Sequence, residues 1–308
     1  MPENNPVAPY QNTNPFSLRQ AFIFLHLSIF LAGFTGIIGK YISLNEGLLV
    51  WYRLLITAGT LWILLLWRGQ LQKISIRDIL ALFGVGFLAA LHWVSFFGSI
   101  KYANVSVALV CFSSVGFFTA LLEPLINRKR INGLDVLLGL IVMAGIFIIF
   151  HFDTHYATGI ILGVISAILL AFVMIFIRGF AARIAPQTLL AWQMTGGVLS
   201  LSLLLPFYLH QFPVASIWPT PSDWIWLLIL AWFCSVIAFQ LTTRALQKLS
   251  AFTVNLSFNL EPVYGIGLAF LLFQENKDLS TGFYIGLGLI VLAVGLQMAR
   301  ILRNRPQG

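Results

Sequence analysis

GLIVMA, from Gly139 to Ala144, returns almost unchanged as GLIVLA from Gly288 to Ala293, and each copy lies inside an unbroken apolar stretch. A hydrophobic block that recurs in this way is typical of a chain built from two copies of one membrane unit. We therefore predict a first repeat over 20–151 and a second over 158–300. Polar segments flank the two repeats at 1–19 and 301–308.

The composition of the chain places it in a lipid bilayer. Apolar residues make up 59% of the 308 residues, charged residues only 9%, and the mean hydropathy is +0.91, which leaves too little polar surface for a soluble globule. A spanning helix needs about 20 mostly apolar residues. The sequence predicts an all-α integral membrane protein with ten transmembrane helices, at 20–39, 46–67, 78–99, 105–127, 133–151, 158–177, 188–209, 223–243, 251–273 and 280–299.

The positions of the basic residues predict the orientation, because loops rich in Lys and Arg are retained in the cytoplasm. Nearly all of the 18 Lys and Arg residues fall on one side of the ten-helix arrangement, and the loops of the other side hold only Lys40, Lys101 and Lys277. We expect a multi-pass protein of the plasma (inner) membrane with both termini cytoplasmic. Residues 1–19 lack the apolar run of a signal peptide and are predicted to be a disordered tail.

An odd number of crossings in each copy inverts the second copy relative to the first. Ten helices arranged as two inverted five-helix repeats are a common way to build a carrier that works by alternating access, with the substrate between the halves near mid-membrane. The expected partners are a small-molecule substrate and membrane lipid, with protons as a candidate second substrate. A monomer and a homodimer both stay open.

Other partners are disfavoured by the motifs and by the charge pattern. The sequence contains neither a P-loop nor a GxGxxG dinucleotide fingerprint, so no cofactor is expected. The net charge of +8 is spread through short loops between apolar spans, which indicates topology signals and lipid contacts rather than nucleic-acid binding.

Arg53 is the first candidate for the substrate site, because an ionised residue within the hydrocarbon costs about 2.5 to 3.5 kcal/mol and usually faces a cavity or a partner. With Glu46, Thr57 and Thr60 it forms one polar stripe along the second helix. Its forked donors suit a carboxylate or a phosphate of the substrate. The alternatives are that it extends to the outer interface or pairs with Glu46.

Glu261 is the second candidate, predicted near the middle of the ninth helix and directly before Pro262, whose ring would bend that helix. It is interpreted as a proton acceptor, a cation counter-ion or a ligand for a substrate amine. The alternative is a structural clasp with a donor on another helix. Asn255 and Asn259 lie on the same helix and extend the predicted substrate site.

A polar and aromatic group completes the predicted site: His92, Trp93, Gln193 and Phe34. His92 is either a proton relay or a histidine that is simply hydrogen-bonded within the bundle. Glu123 lies close to the basic residues 128–130 and is interpreted as an interfacial ion pair.

A channel and a membrane-embedded enzyme are the competing classes. An enzyme needs two or more ionisable groups at a common depth. His151, Asp153 and His155 have ligand chemistry, but they lie at a predicted helix end and are better interpreted as a solvated turn. We therefore predict no catalytic residues, no metal site and no enzymatic activity.

Two segments resemble the EamA-type branch of the drug/metabolite transporter superfamily. LEPVYGIGLAFLLFQE, from Leu260 to Glu275, is similar to the ninth helix of that family, whose Pro and later Glu are matched by Pro262 and Glu275. SSVGFFTALLEPLINRK, from Ser113, resembles the fourth helix, but Gly116 and Lys129 replace the equivalent Pro and Glu.

The WYRLLITAG segment that contains Arg53 is similar to the second helix of the family. The resemblance implies ten helices in two halves. It also implies export of a small metabolite such as an amino acid, with efflux of cationic or aromatic drug-like compounds as the alternative.

Overall fold

Regular secondary structure is helical wherever the computed structural model describes the chain, which is at residues 16–128, 130–152, 154–181, 183–246, 248–249, 254, 257–258 and 260–303. The α-helices in chain order are α1 (Leu18–Tyr41), α2 (Glu46–Trp67), α3 (Ile76–Tyr102), α4 (Val105–Phe112), α5 (Val115–Ile126), α6 (Gly133–Phe152), α7 (Ala157–Ala181), α8 (Pro186–Gln211), α9 (Pro221–Ala231), α10 (Ala238–Leu246), α11 (Glu261–Phe273) and α12 (Thr281–Arg303). Short 3₁₀ turns cover Thr154–Tyr156 and Glu275–Lys277, and a π-turn covers Trp232–Ile237.

Eight helical stretches of the described chain have the length and apolar composition needed to cross a membrane. They are α1, α2, α3, α4 with α5, α6, the 3₁₀ turn with α7, α8, and α9 with α10. The apolar helices Glu261–Phe273 and Thr281–Gln297 are shorter. The multi-pass membrane class is thus supported, while the count of ten spans stays a prediction, since residues 251–253, 255–256 and 259 of the predicted ninth span lie outside the described residues.

Side-chain caps set several helix starts close to the predicted ones. Asn45, Ser75 and Asn104 each accept a hydrogen bond from a backbone amide in the first turn of α2, α3 and α4, and so satisfy a group that the helix leaves free. Helix α1 begins at Leu18 and α12 ends at Arg303, so helix extends into both segments predicted as tails.

The predicted fourth span, 105–127, is broken rather than continuous. The chain turns at Ser113 and Ser114 between α4 and α5, and the two hydroxyls donate to the carbonyls of Leu109 and Cys111 at 3.2 and 2.6 Å. In a membrane these side-chain bonds help to replace the partners that a helix break removes.

The predicted ninth span is broken at the equivalent place. A turn at Leu260 lies two residues before Pro262, as Ser114 lies two before Gly116. The prediction of a bend caused by Pro262 in mid-helix is wrong: Pro262 lies in the first turn of α11, where the missing amide hydrogen costs nothing. Glu261 accordingly stands at the start of a helix and not near the middle of one.

The contacts between the two halves follow an exchange symmetry. Helices α9 and α10 together are the second-half equivalent of α3. Helix α3 packs on α7 and α8, and correspondingly α10 packs on α1 and α9 packs on α2. In the same way α4 and α5 pack on α7, and their equivalent α11 packs on α1. Three further pairs, α2 with α8, α4 with α11, and α6 with α12, join equivalents to each other. This pairing agrees with a chain made of two copies of one unit.

Glycines let equivalent helices approach at the backbone. A Cβ atom on Gly145 of α6 would lie 2.7 Å from the carbonyl oxygen of Gly286, and one on Gly286 of α12 would lie 2.4 Å from that of Gly145. These glycines adjoin the two repeated GLIV blocks, so the most similar segments of the two halves lie in helices that pack on each other.

Candidate functional site

The Arg53 side chain is enclosed between α2, α3 and the π-turn. The residue is only 4% exposed. Its Nε and Nη2 donate to the Ser235 hydroxyl at 3.2 and 3.1 Å, and its guanidinium lies 4.6 Å from the Trp93 ring centre and 5.8 Å from that of Phe97. The aromatic faces add a cation–π attraction to the hydrogen bonds. The prediction that this cation faces the interior is confirmed.

Ser235 is the residue of this cluster that sequence reasoning missed. It lies in the π-turn, where its hydroxyl donates to the Leu230 carbonyl five residues back at 3.2 Å. With its only hydrogen used in this way, the oxygen is left as an acceptor for Arg53. The segment 223–243 reads as an ordinary apolar span, and no pattern in it signals the extra residue of a π-turn.

Two buried polar atoms on α2 have no hydrogen-bond partner among the described residues. They are Nη1 of Arg53 and Oγ1 of Thr57, one helical turn apart on one face of α2. Buried polar groups are normally paired, so two without a partner on one face of a helix call for an explanation, and a bound ligand would supply one. The donor on Arg53 and the hydroxyl on Thr57 suit an anionic or polar group.

Glu261 lies near this cluster without joining it directly. Its carboxylate and the Arg53 guanidinium interact electrostatically, yet the ion pairs within 4.0 Å in the described chain do not include these two residues. The α11 backbone at this point touches α1, since a Cβ on Gly33 would lie 3.0 Å from the Glu261 carbonyl. Opposite charges on α2 and at the start of α11 are therefore close enough to interact without forming a direct ion pair.

The structure overturns one alternative proposed for Arg53. Glu46 does not pair with it; the Glu46 carboxylate accepts a 2.5 Å hydrogen bond from the Tyr208 hydroxyl at the end of α8. Glu46 and Arg53 are separated by two helical turns, about 10 Å at 1.5 Å per residue. The hydroxyl of Ser235, which accepts from Arg53, is much closer.

Glu123 does form an ion pair, but with a partner other than the basic residues 128–130. Its carboxylate lies 2.7 Å from Nη1 of Arg178, at the end of α7. Because α5 packs on α7, this contact links the two halves instead of closing a loop within one.

The remaining predicted residues are only partly brought together. Trp93 joins Arg53. His92 is hydrogen-bonded to α7, where its Nδ1 lies 2.9 Å from the Ser166 carbonyl oxygen and 2.8 Å from its hydroxyl, and it is close enough to Arg53 to interact with its charge. Phe34 stacks on Phe30, with ring centres 6.0 Å apart.

Gln193 is buried where α8 crosses α3, and its side-chain oxygen has no hydrogen-bond partner among the described residues. Its backbone is so close to Gly86 of α3 that a Cβ there would lie 2.1 Å from the Gln193 carbonyl oxygen. Asn255 and Asn259 lie outside the described residues, as does Asp153. Within the part of the chain that is described, no three His, Cys, Asp or Glu side chains are grouped as metal ligands.

Comparison with known proteins identifies the family to which this chain belongs. The model of the EamA-like transporter family matches residues 19–151 and again residues 157–298. The chain belongs to the EamA-like transporter family. The two matches confirm the resemblance drawn from the fourth and ninth helices, and they fall on the two repeats predicted from the GLIV blocks. EamA-like proteins are membrane transporters, which places this chain in the transporter class.

A solved crystal structure has the same fold as this EamA-like chain. The two are 18% identical with a TM-score of 0.60, and the match covers 94% of this chain and 100% of the other. At this identity the likeness shows the fold alone. A sequence search of curated proteins finds no match.

Proposed function

We propose that this EamA-like protein is a secondary transporter that exports small zwitterionic metabolites such as amino acids across the plasma (inner) membrane. Two inverted five-helix halves give alternating access to one central site, and both termini are cytoplasmic. The observation that carries the proposal is the pair of opposite charges, the buried Arg53 and Glu261, which interact electrostatically without forming an ion pair within 4.0 Å.

The charges match the two ends of an amino acid. The unpaired Nη1 of Arg53 is suited to a carboxylate, because charge-assisted hydrogen bonds from guanidinium are strong and directional. The Glu261 carboxylate is suited to an ammonium group. A zwitterion placed between them compensates both charges, and Thr57 offers a further polar contact on the same face of α2.

The contact pattern supports alternating access. The inter-half helix pairs occur in exchange-related sets, so the two halves can swap conformations and so turn a site facing one side into a site facing the other. The helix breaks at Ser114 and Leu260 lie at equivalent positions of the two repeats and supply symmetric points of bending.

Efflux of cationic or aromatic drug-like compounds is the second candidate, and the rings of Trp93 and Phe97 beside Arg53 favour it. Aromatic faces attract cations and stack on planar compounds. Such a substrate needs Glu261 and the rings but has no carboxylate for Arg53. Neutralising Arg53 therefore weakens amino-acid export and spares drug efflux.

The test is a metabolite-release screen of cells with and without the protein, repeated with a collapsed proton gradient. We expect amino acids in the medium to rise only with the protein present, and a loss of that rise without the gradient identifies protons as the coupling ion. If no released compound differs between the two cell lines, the export proposal fails.

A further inference from the structure

Glu275 is a nearly buried carboxylate in the 3₁₀ turn that follows α11, and its side chain is only 4% exposed. One oxygen accepts from Nζ of Lys40 at 2.7 Å and from the Val105 amide at 3.1 Å. The other accepts from the amide and the hydroxyl of Ser106 at 2.9 and 2.7 Å. One side chain thus joins the end of α1, the start of α4 and the end of α11.

The hydrogen bonds and the burial of Glu275 stabilise the contact between α1, α4 and the end of α11. The four donors satisfy the carboxylate, and two of them are amides at the start of α4, where the helix dipole attracts negative charge. Separating them would expose a buried anion and a buried helix start together. We call the group of Lys40, Val105, Ser106 and Glu275 the Glu275 latch.

The loop between α1 and α2 is fastened at the same end of the molecule. Asp223 at the start of α9 accepts from the backbone amide and the hydroxyl of Ser43 at 2.6 and 2.7 Å. Nζ of Lys101 at the end of α3 donates to the carbonyls of Ile42 and Leu44. The loop that leads into α2, the helix that carries Arg53, is thus held from two sides.

The opposite end is held differently. Two of its ion pairs, Arg178 with Glu123 and Arg183 with Asp78, have arginines that are 73% and 54% exposed, and a third, Arg300 with Asp135, has a carboxylate that is 28% exposed against 4% for Glu275. A shallow crevice between α2, α8 and α10 opens there, lined by Leu65, Arg68, Gln187 and Gln240. Exposed pairs are weak, so this end opens at lower cost than the latch end.

Helix α11 connects the latch to the candidate site. Glu261 is its first residue and Glu275 follows its last turn, so the two carboxylates are about 20 Å apart along the helix at 1.5 Å per residue. In the first repeat the position equivalent to Glu275 holds Lys129, so the sequence supplies this carboxylate to one end of the transporter only.

We propose that the Glu275 latch is the gate between the candidate site and the side of the membrane on which Lys40 lies, and that substrate leaves only when α11 separates from α4. This inference rests on the proposed transport function. It adds a named gate to that function and assigns the structure to a state closed toward the Lys40 side.

A native thiol reports on the gate. Cys234 is 7% exposed, adjoins Ser235 and lies close enough to Arg53 to interact with its charge. In a Cys111→Ala background it is the one thiol of the chain. Its rate of modification by the anionic, membrane-impermeant reagent methanethiosulfonate ethylsulfonate is measured from the Lys40 side in intact cells and from the Arg68 side in inverted vesicles.

We expect Glu275→Gln to raise labelling from the Lys40 side by about tenfold or more, because losing hydrogen bonds to a charged group shifts a two-state equilibrium by at least that factor. Lys40→Gln removes one donor, keeps the three from α4 and gives a smaller rise. The matched control Asp135→Asn breaks the ion pair with Arg300 at the other end and leaves labelling from the Lys40 side unchanged.

Wild-type labelling rates in both Glu275→Gln and Lys40→Gln would overturn the gate. If Glu275→Gln does not fold, Lys40→Gln decides alone, because it leaves the start of α4 capped. The two proposals fail separately: unchanged labelling with intact amino-acid export removes the gate only, and accelerated labelling in a protein that exports nothing removes the transport function only.

Discussion

At the scale of single residues, the candidate site depends on a cation that is held without being neutralised. Ser235, Trp93 and Phe97 position the Arg53 guanidinium, but none of them carries a negative charge. One of its buried nitrogens has no hydrogen-bond partner in the part of the chain that the structure describes. In such surroundings an unpaired charge is expensive, and a ligand that supplies the missing anion gains correspondingly more binding energy.

Replacing Arg53 by Gln should lower the apparent affinity for an exported amino acid by about tenfold to a hundredfold, since a hydrogen bond to a charged group is worth about 1.5 to 3 kcal/mol. The measurement is the concentration dependence of export in proteoliposomes. Arg68→Gln, a change of the same type at the far end of α2, is the control and should export as wild type does. Equal export by both variants would remove Arg53 from the site.

Ser235→Ala should raise the half-saturation concentration of amino-acid export by several-fold to about tenfold with little effect on folding. The reason is that the Arg53 guanidinium loses its hydrogen-bond acceptor in the π-turn. Ser202→Ala, which removes an acceptor for the Trp51 indole instead, is its control. If both variants show wild-type kinetics, Ser235 does not position Arg53.

The two charged residues were predictable from the sequence because an ionised side chain within an apolar span is costly and therefore conspicuous. Ser235 was not, since a serine in a membrane helix is common and the π-turn that aims it leaves no pattern. For His92 the sequence left two interpretations open, a proton relay and a histidine hydrogen-bonded within the bundle. The contacts of its ring with Ser166, on a helix distant in sequence, agree with the second.

At the scale of elements, both broken helices start again at matching positions, with Gly116 in the first repeat where the second has Pro262. A Cβ on Gly116 would meet nothing within 4 Å. The sequence gives no warning of the break at Ser113 and Ser114, because the flanking residues are as apolar as those of a continuous span. Side-chain bonds to the backbone decide the outcome there.

Gly116→Pro should therefore be tolerated, with thermal stability close to that of the wild type, because the ring would occupy the first turn of α5 as Pro262 occupies that of α11. Gly84→Pro is the contrast, since Gly84 also has open space around it but lies inside α3, where proline costs about 3 kcal/mol or more. Thermal unfolding in detergent measures both. Equal destabilisation would show that α5 does not begin at this point.

The contact between α6 and α12 gives a second prediction about elements. Gly286→Ala should destabilise the protein by about 1 to 3 kcal/mol, because the new methyl group would meet the Gly145 carbonyl. Gly288→Ala, two residues along the same helix with nothing within 4 Å, should be neutral or slightly stabilising. A stable Gly286→Ala protein would argue that α6 and α12 are not packed at these glycines.

At the scale of the whole molecule, the duplicated GLIV block predicted the arrangement that the helix contacts display. Equivalent helices pair with each other or in exchanged sets, and the family matches divide the chain at the same place. Periodicity and composition suffice for this level because a membrane leaves few ways to pack apolar helices. The Glu275 latch was beyond such reasoning, since it joins residues that are far apart in sequence and adjacent only after packing.

Trans-stimulated exchange tests the central claim, that two halves give alternating access to one site made by Arg53 and Glu261. Proteoliposomes are loaded with a labelled amino acid and diluted into buffer with or without the unlabelled compound. We predict that external amino acid accelerates release of the label by wild type and not by Arg53→Gln, because a carrier returns faster when loaded. Release that proceeds equally fast with and without external substrate would contradict alternating access and indicate a channel.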